Sequence, residues 1–167
     1  MGKIIAIVGM CGSGKSVASE YLIGLGYKRV YFGGVTMDKL KESGLDVNPD
    51  NEKMMREKLR SELGMGAYAK VLLPTIKELS LNNEFYITTI AVVADKKIRY
   101  DRLSRRDVRS FGKSDAIKRD ISEIENIAKA GPIAYADYYI FNNGTINDFH
   151  NRLDEILNNI KEWRTFE

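Results

Sequence analysis

One cysteine and one histidine are all that 167 residues offer to two of the commonest side-chain chemistries. A lone cysteine closes no intramolecular disulfide. That excludes a small secreted fold held by staples and fits a reducing, cytoplasmic compartment. A lone histidine, His150, cannot by itself support a serine-type triad. No apolar run approaches the roughly 18 residues that a membrane span needs. The strongest one, Ile4-Ile5-Ala6-Ile7-Val8, stops at Gly9, so the start reads as a buried strand and not as a leader or anchor. A large excess of charge is missing too: 26 Lys+Arg stand against 23 Asp+Glu, a formal net charge of +3. That balance gives little support to a nucleic-acid binder, which needs a basic stripe with stacking aromatics. Repeats, low-complexity tracts and linkers are also lacking, and the length suits one domain over residues 1–167.

What is present is an alternation of two hydrophobic periods. Ile4 to Val8 is continuously apolar and β-branched, the pattern of a parallel strand covered on both faces. A glycine-rich turn follows, then Val17, Ala18, Tyr21, Leu22 and Leu25 recur at helical spacing up to Gly24 and Gly26. Val30-Tyr31-Phe32 reads as a short strand closed by Gly33-Gly34, with Thr36 capping a helix to Ser43. Asn48-Pro49-Asp50 opens a charged helix near 51–63, and a further helix near 67–79 carries Pro74 as a kink. Tyr86 to Val93 is the second strong strand, and Asp95 opens the next helix. A helix from Ser114 or Asp115 is predicted to bury Ile117, Ile121, Ile124, Ile127 and Ala128. Tyr138 to Phe141 is a last strand, Asn142-Asn143-Gly144 a turn, and 147–160 the closing helix. Strands separated by helices predict an α/β fold.

The chemistry concentrates in Gly9-x-x-x-x-Gly14-Lys15-Ser16, which fits the phosphate-binding loop pattern and stands in the required strand–turn–helix context. Glycines such as Gly9, Gly12 and Gly14 let the backbone curl until several N–H groups, those at Ser13 included, point at phosphate oxygens. The helix N-terminus adds its dipole. Lys15 supplies a mobile positive charge to the outer phosphates, and the Ser16 hydroxyl is suited to ligate Mg²⁺. Cys11 reads as a small side chain at a variable loop position. A second constellation is basic: Arg99, Arg102, Arg105, Arg106 and Arg109, then Lys113, Lys118 and Arg119. Guanidinium groups on a mobile flap stabilise the charge of a transferring phosphoryl group while excluding water. Arg105, Arg106 and Arg109 lie at the loop end of a helix after the second strong strand, where such a flap belongs. That segment spans about 102–120, and at least two of these arginines are expected to touch phosphate. The alternative, a solvated helix face with partners such as Asp101 for Arg105, stays open. Asn143 follows the last strand at the sheet edge where ligands collect, so it is a candidate base contact, and a plain turn is the other reading.

With these residues in view, the sequence resembles small P-loop nucleoside and nucleotide kinases, closest to a prokaryotic, adenylate kinase-related branch that is dephospho-CoA kinase-like. The resemblance runs through Val8–Ser16, Phe32-Gly33, Arg99–Arg109, Arg119-Asp120, Glu123–Asn126, Gly131–Ala134 and Ala136–Tyr138 to Asn142–Thr145. It implies a P-loop three-layer α/β/α architecture, with a mostly parallel sheet of about five strands and a helical lid. It also implies ATP on Gly12–Ser16, Mg²⁺ at Ser16 and lid arginines at Arg106 and Arg109. A small nucleotide-like acceptor would sit between the helices that follow Gly33 and Asn48. The partners implied are that acceptor and no membrane, with the chain a monomer or homodimer.

The chain departs from the family pattern at two places. Relatives carry a third strand ending in Asp-Gly, yet here Asn82-Asn83-Glu84 runs straight into Phe85 and roughly twenty residues of the pattern are absent. Deleting an internal parallel strand exposes two strand edges and opens the core, so the complete protein is expected to hold that segment between Asn83 and Phe85. Gly34 stands where some relatives have an acidic residue, which leaves the general base unassigned. The expected function is ATP-dependent phosphoryl transfer to a nucleotide-like acceptor. Dephospho-CoA as acceptor, and a regulatory ATPase without a second substrate, are the alternatives.

Overall fold

The computed structural model describes residues 2–81, 85–106 and 112–163. The elements in chain order are β1 (Gly2–Val8), α1 (Lys15–Gly24), α2 (Phe32–Glu42), α3 (Pro49–Leu63), α4 (Ala67–Ser80) and β2 (Phe85–Val93). Then come α5 (Lys96–Ser104), α6 (Lys113–Glu125), α7 (Ala130–Ala134), β3 (Tyr138–Phe141) and α8 (Ile146–Trp163). The fold is α/β of the three-layer α/β/α type. Two compact units are present, one holding Lys28–Phe85 and the other Lys3–Tyr27 with the chain from Tyr86 onward.

The larger unit is built on a sheet in the order β1-β2-β3. Strands β2 and β3 pair in parallel, Ile90 opposite Tyr138 and Val92 opposite Ile140. Ile90, Ala91 and Val92 are all fully buried, so β2 is covered on both faces, as its continuous Ile/Val/Ala run predicts. One face carries Ile90, Val92 and Ile140 against Ala18 of α1 and Phe149, Leu153 and Ile156 of α8. Helix α8 opens on a reciprocal cap: Thr145 Oγ1 accepts the Asp148 N–H at 3.2 Å, and the Asp148 carboxylate accepts the Thr145 N–H at 3.0 Å.

β1 corrects an expectation. Ile4 to Val8 are only half-buried, because among the described residues β1 ends the sheet and has a partner strand on one side alone. The sheet has three strands there in place of about five. The segment expected between Asn83 and Phe85 falls at 82–84, outside the described residues.

The smaller unit is helical, with Val35 and Leu40 of α2 packed against Met55 and Leu59 of α3 and Ala67 of α4. Val30-Tyr31-Phe32 is not a strand: Tyr31 is the extended N-cap of α2, which begins at Phe32. Burial of Val35 and of Thr36 with Leu40 one turn on outweighs the poor propensity of Gly33-Gly34. Thr36 is therefore no cap but a buried residue inside α2, its hydroxyl 2.8 Å from the Tyr68 hydroxyl. Helix α3 starts as read, with the Asn48 side chain accepting the Asn51 N–H and Pro49 in the first turn. Helix α4 runs through Pro74 to Ser80.

Candidate active site

The glycine-rich loop joins β1 to α1 in the larger unit, and its shape follows from its glycines. Gly12 (φ +81°) and Gly14 (φ +109°) occupy left-handed backbone that other residues avoid. A Cβ on Gly12 would lie 2.7 Å from the Arg99 carbonyl oxygen, and one on Gly14 would collide with the Asn142 side-chain amide. Gly14 is the N-cap of α1 and no side chain caps that helix, so the α1 N-terminus faces the loop with its backbone donors.

Lys15 is half-buried, and its Nζ donates to the Met10 carbonyl at 2.9 Å. Burial first and the Lys129 ammonium second, opposed by Glu123, lower its pKa from 10.5 to about 8. Such an ammonium gains from an anion brought beside it. Ser16 is exposed on the first turn of α1, and Ser13 is fully buried with its hydroxyl unpartnered. Gly9 is buried below the loop.

Asn142, at the end of β3, ties the loop from the other side. Its amide donates to the Ser13 carbonyl at 2.8 Å, and its own N–H donates to the Val93 carbonyl at 2.7 Å. Arg102 Nη2 donates to the Asn142 carbonyl at 2.9 Å, while its Nη1 is buried without a partner. These residues border a pocket of about 190 Å³ completed by Val17, Gly144 and Ile146. A larger depression of about 440 Å³, lined by Leu25, Gly26, Tyr27 and Leu157 beyond the C-terminal end of α1, has no charged side chain. The loop-side pocket carries the chemistry.

The arginines separate into distinct roles. Arg99 is buried in a two-pronged pair with Asp120, at 2.8 and 2.6 Å, and also donates to the Cys11 carbonyl at 2.8 Å. The hydrogen bond to Asp120 raises the Arg99 pKa further, so it stays charged. Burial alone would raise the Asp120 carboxyl, but Arg99 outweighs it and holds the group below its usual range. Arg105 is exposed and pairs with Asp101 at 2.9 Å, the helix-face alternative. Arg106 is exposed beside the loop, with Nη1 4.0 Å from Cys11 Sγ. Arg109 lies outside the described residues. Lys113 and Lys118 are exposed, and Arg119 pairs with Glu123 at 3.1 Å.

Gly9, Gly12, Ser13 and Gly14 lie in the turn between β1 and α1, and Lys15 and Ser16 open α1. The sequence points to Asn143, whereas Asn142 lines the pocket and Asn143 accepts the Asp95 N–H at 2.9 Å. Asp95 sits at the N-cap of α5, but its side chain makes no cap bond. His150 stacks on Tyr21 at 4.1 Å between centroids. The largest omission is in α6. Ile121 (48% exposed) and Ile124 (49%) face outward, and the helix buries Ala116, Asp120 and Glu123 instead. The helical period alone does not signal this, because Arg99 and Cys11, which those carboxylates meet, lie 21 and 112 residues away.

No family model matches the chain. A UPF0200 protein of Methanococcus maripaludis is 31% identical over 180 aligned positions, covering 95% of this chain and 97% of the relative. The chain belongs to the UPF0200 family. A UPF0200 protein of Sulfurisphaera tokodaii is 30% identical over 95% of the chain and 97% of its own length. A UPF0200 protein of Methanocaldococcus jannaschii aligns over 193 positions, more than the chain has residues, so that relative carries residues this family member lacks. Among solved structures, TT1252 from Thermus thermophilus superposes with a TM-score of 0.67 over 95% of this chain and 97% of its own. At 16% identity that likeness is one of fold.

Proposed function

We propose that this UPF0200 protein is an ATP-dependent kinase that transfers the γ-phosphoryl group to a nucleotide or nucleotide-like acceptor. The observation that carries the reading is the desolvated Lys15, held on the Met10 carbonyl of a loop whose glycines open helix α1. Gly12–Ser16 would hold the phosphates, with the backbone donors of the α1 N-terminus aimed at them. The pocket beside Asn142 and Arg102 suits a flat base, and the unpartnered Arg102 Nη1 and Ser13 hydroxyl are donors awaiting an acceptor.

Among the described residues no three carboxylate, histidine or cysteine side chains cluster to hold a metal. Mg²⁺ would therefore arrive with the nucleotide, with the exposed Ser16 hydroxyl as its protein ligand. Bound there, it would neutralise charge on the phosphate oxygens. Lys15 would move from the Met10 carbonyl to the outer phosphates. Arg106, free of any carboxylate partner among the described residues and next to the loop, would close on the transferring group, and Arg109 is the second arginine proposed for that role. The acceptor would be a small molecule bound between α2 and α3. Among the described residues no helix is long and apolar enough to cross a membrane.

The test is coupled ADP release from ATP and Mg²⁺, with and without nucleoside mono- and diphosphates and dephospho-CoA. Turnover stimulated by one acceptor supports the kinase. Acceptor-independent turnover supports a regulatory ATPase instead.

A further inference from the structure

Helix α6 buries two carboxylates that act on Cys11 of the glycine-rich loop, one directly and one through Arg99. Glu123 is 1% exposed. Its Oε2 accepts the Cys11 N–H at 3.0 Å, while Oε1 accepts from Lys129 Nζ at 2.7 Å and Arg119 Nε at 3.1 Å. Asp120 acts one step removed, by fixing the Arg99 guanidinium that donates to the Cys11 carbonyl. The two polar groups of one loop residue are thus gripped by one helix.

The position of Lys129 is itself built. Ala128 takes φ +54°, a left-handed conformation that side chains disfavour, and the Lys129 N–H returns to the Glu123 carbonyl at 3.0 Å. That turn folds the ammonium back onto the carboxylate. A buried carboxylate persists only where it is fully partnered, and here every partner is either the phosphate loop or a cation beside it.

We propose that Glu123 is a positioning residue for nucleotide phosphate binding: one carboxylate fixes the loop at Cys11 and holds Lys129 and Arg119 next to it. The inference rests on the reading that the loop takes nucleotide phosphate. Electrostatics agree, since Lys129 is close enough to Lys15 to depress its pKa.

The test uses the full chain with ATP and Mg²⁺ as probe, together with exchange of the Cys11 amide hydrogen. Glu123→Gln should weaken ATP by about tenfold or more and accelerate exchange at Cys11, while unfolding remains cooperative. Lys129→Met should weaken ATP, and Lys129→Arg, which keeps a cation on the carboxylate, should restore it to within about threefold. The double variant Glu123→Gln/Lys129→Met should bind no worse than Glu123→Gln alone, because both changes act through one group. ATP affinity in Glu123→Gln equal to or tighter than the parent's, or full additivity in the double variant, overturns the proposal. If Glu123→Gln does not fold, the Lys129 pair decides: parent-like affinity in both overturns it. A parent chain that binds no ATP would instead sink the nucleotide reading, and Cys11 exchange would still report whether Glu123 holds the loop.

Discussion

Helices α6 and α8 belong to the same unit and bury opposite things. Helix α8 places Phe149, Leu153 and Ile156 against the sheet, where removal of apolar area from water stabilises the fold. Helix α6 leaves Ile121 and Ile124 in solvent and buries Asp120 and Glu123. Burying a carboxylate opposes folding unless close cations and hydrogen bonds offset the loss of water, as Arg99, Lys129 and Arg119 do here. Helix α8 holds the sheet, whereas α6 turns its buried face to Cys11 of the glycine-rich loop. A helix that buries charge beside the glycine-rich turn is shaped by the contacts it makes there.

The comparison can be broken first at its strongest polar contact. Asp120→Ala leaves the buried Arg99 without its partner and should destabilise the chain by about 3–5 kcal/mol in denaturant unfolding. A loss under about 1 kcal/mol would show that the pair is dispensable. On α8, Leu153→Ala opens a cavity in the apolar core and should cost about 2–5 kcal/mol by the same measurement.

Acid separates the two helices by mechanism. Burial raises the Glu123 carboxyl, but Lys129 and then Arg119 outweigh it, so its folded pKa lies below the ordinary 4.5. Asp120 likewise lies below 3.8. A depressed folded pKa stabilises above the unfolded value, and that stability is lost as pH falls through the folded one. Stability should therefore decline below about pH 4.5, and Lys129→Met should move the decline to higher pH. Leu153→Ala should lower the whole curve without moving its acid limb. Urea unfolding between pH 3 and 7 checks this, and an unshifted acid limb in Lys129→Met would remove α6 charge from the account. The smallest effect is expected at Ile121, where Ile121→Ser should change stability by less than about 0.5 kcal/mol.

The same pair of helices explains what could be read from the sequence. The loop Gly9–Ser16 was legible because its signal is local: glycine spacing, Lys15 and a flanking strand and helix. Helix α8 was legible because its apolar period and its burial agree. Helix α6 has an equally clear period, yet Arg99 and Cys11 lie 21 and 112 residues from the carboxylates that they meet, so tertiary contacts reversed the face. The turn Asn142-Asn143-Gly144 does not itself say which side chain points inward; Asn142 lines the pocket. Tyr31-Phe32 misread as a strand because a short apolar run fits either period until its partners are known.

The central claim is that nucleotide phosphate is held by the loop through Lys15. Calorimetric titration of ATP and Mg²⁺ into the parent chain and Lys15→Ala tests it most directly. The parent should bind ATP, and the variant should bind about 10²-fold more weakly while unfolding as cooperatively as the parent. Equal ATP affinity in the two proteins would contradict the account.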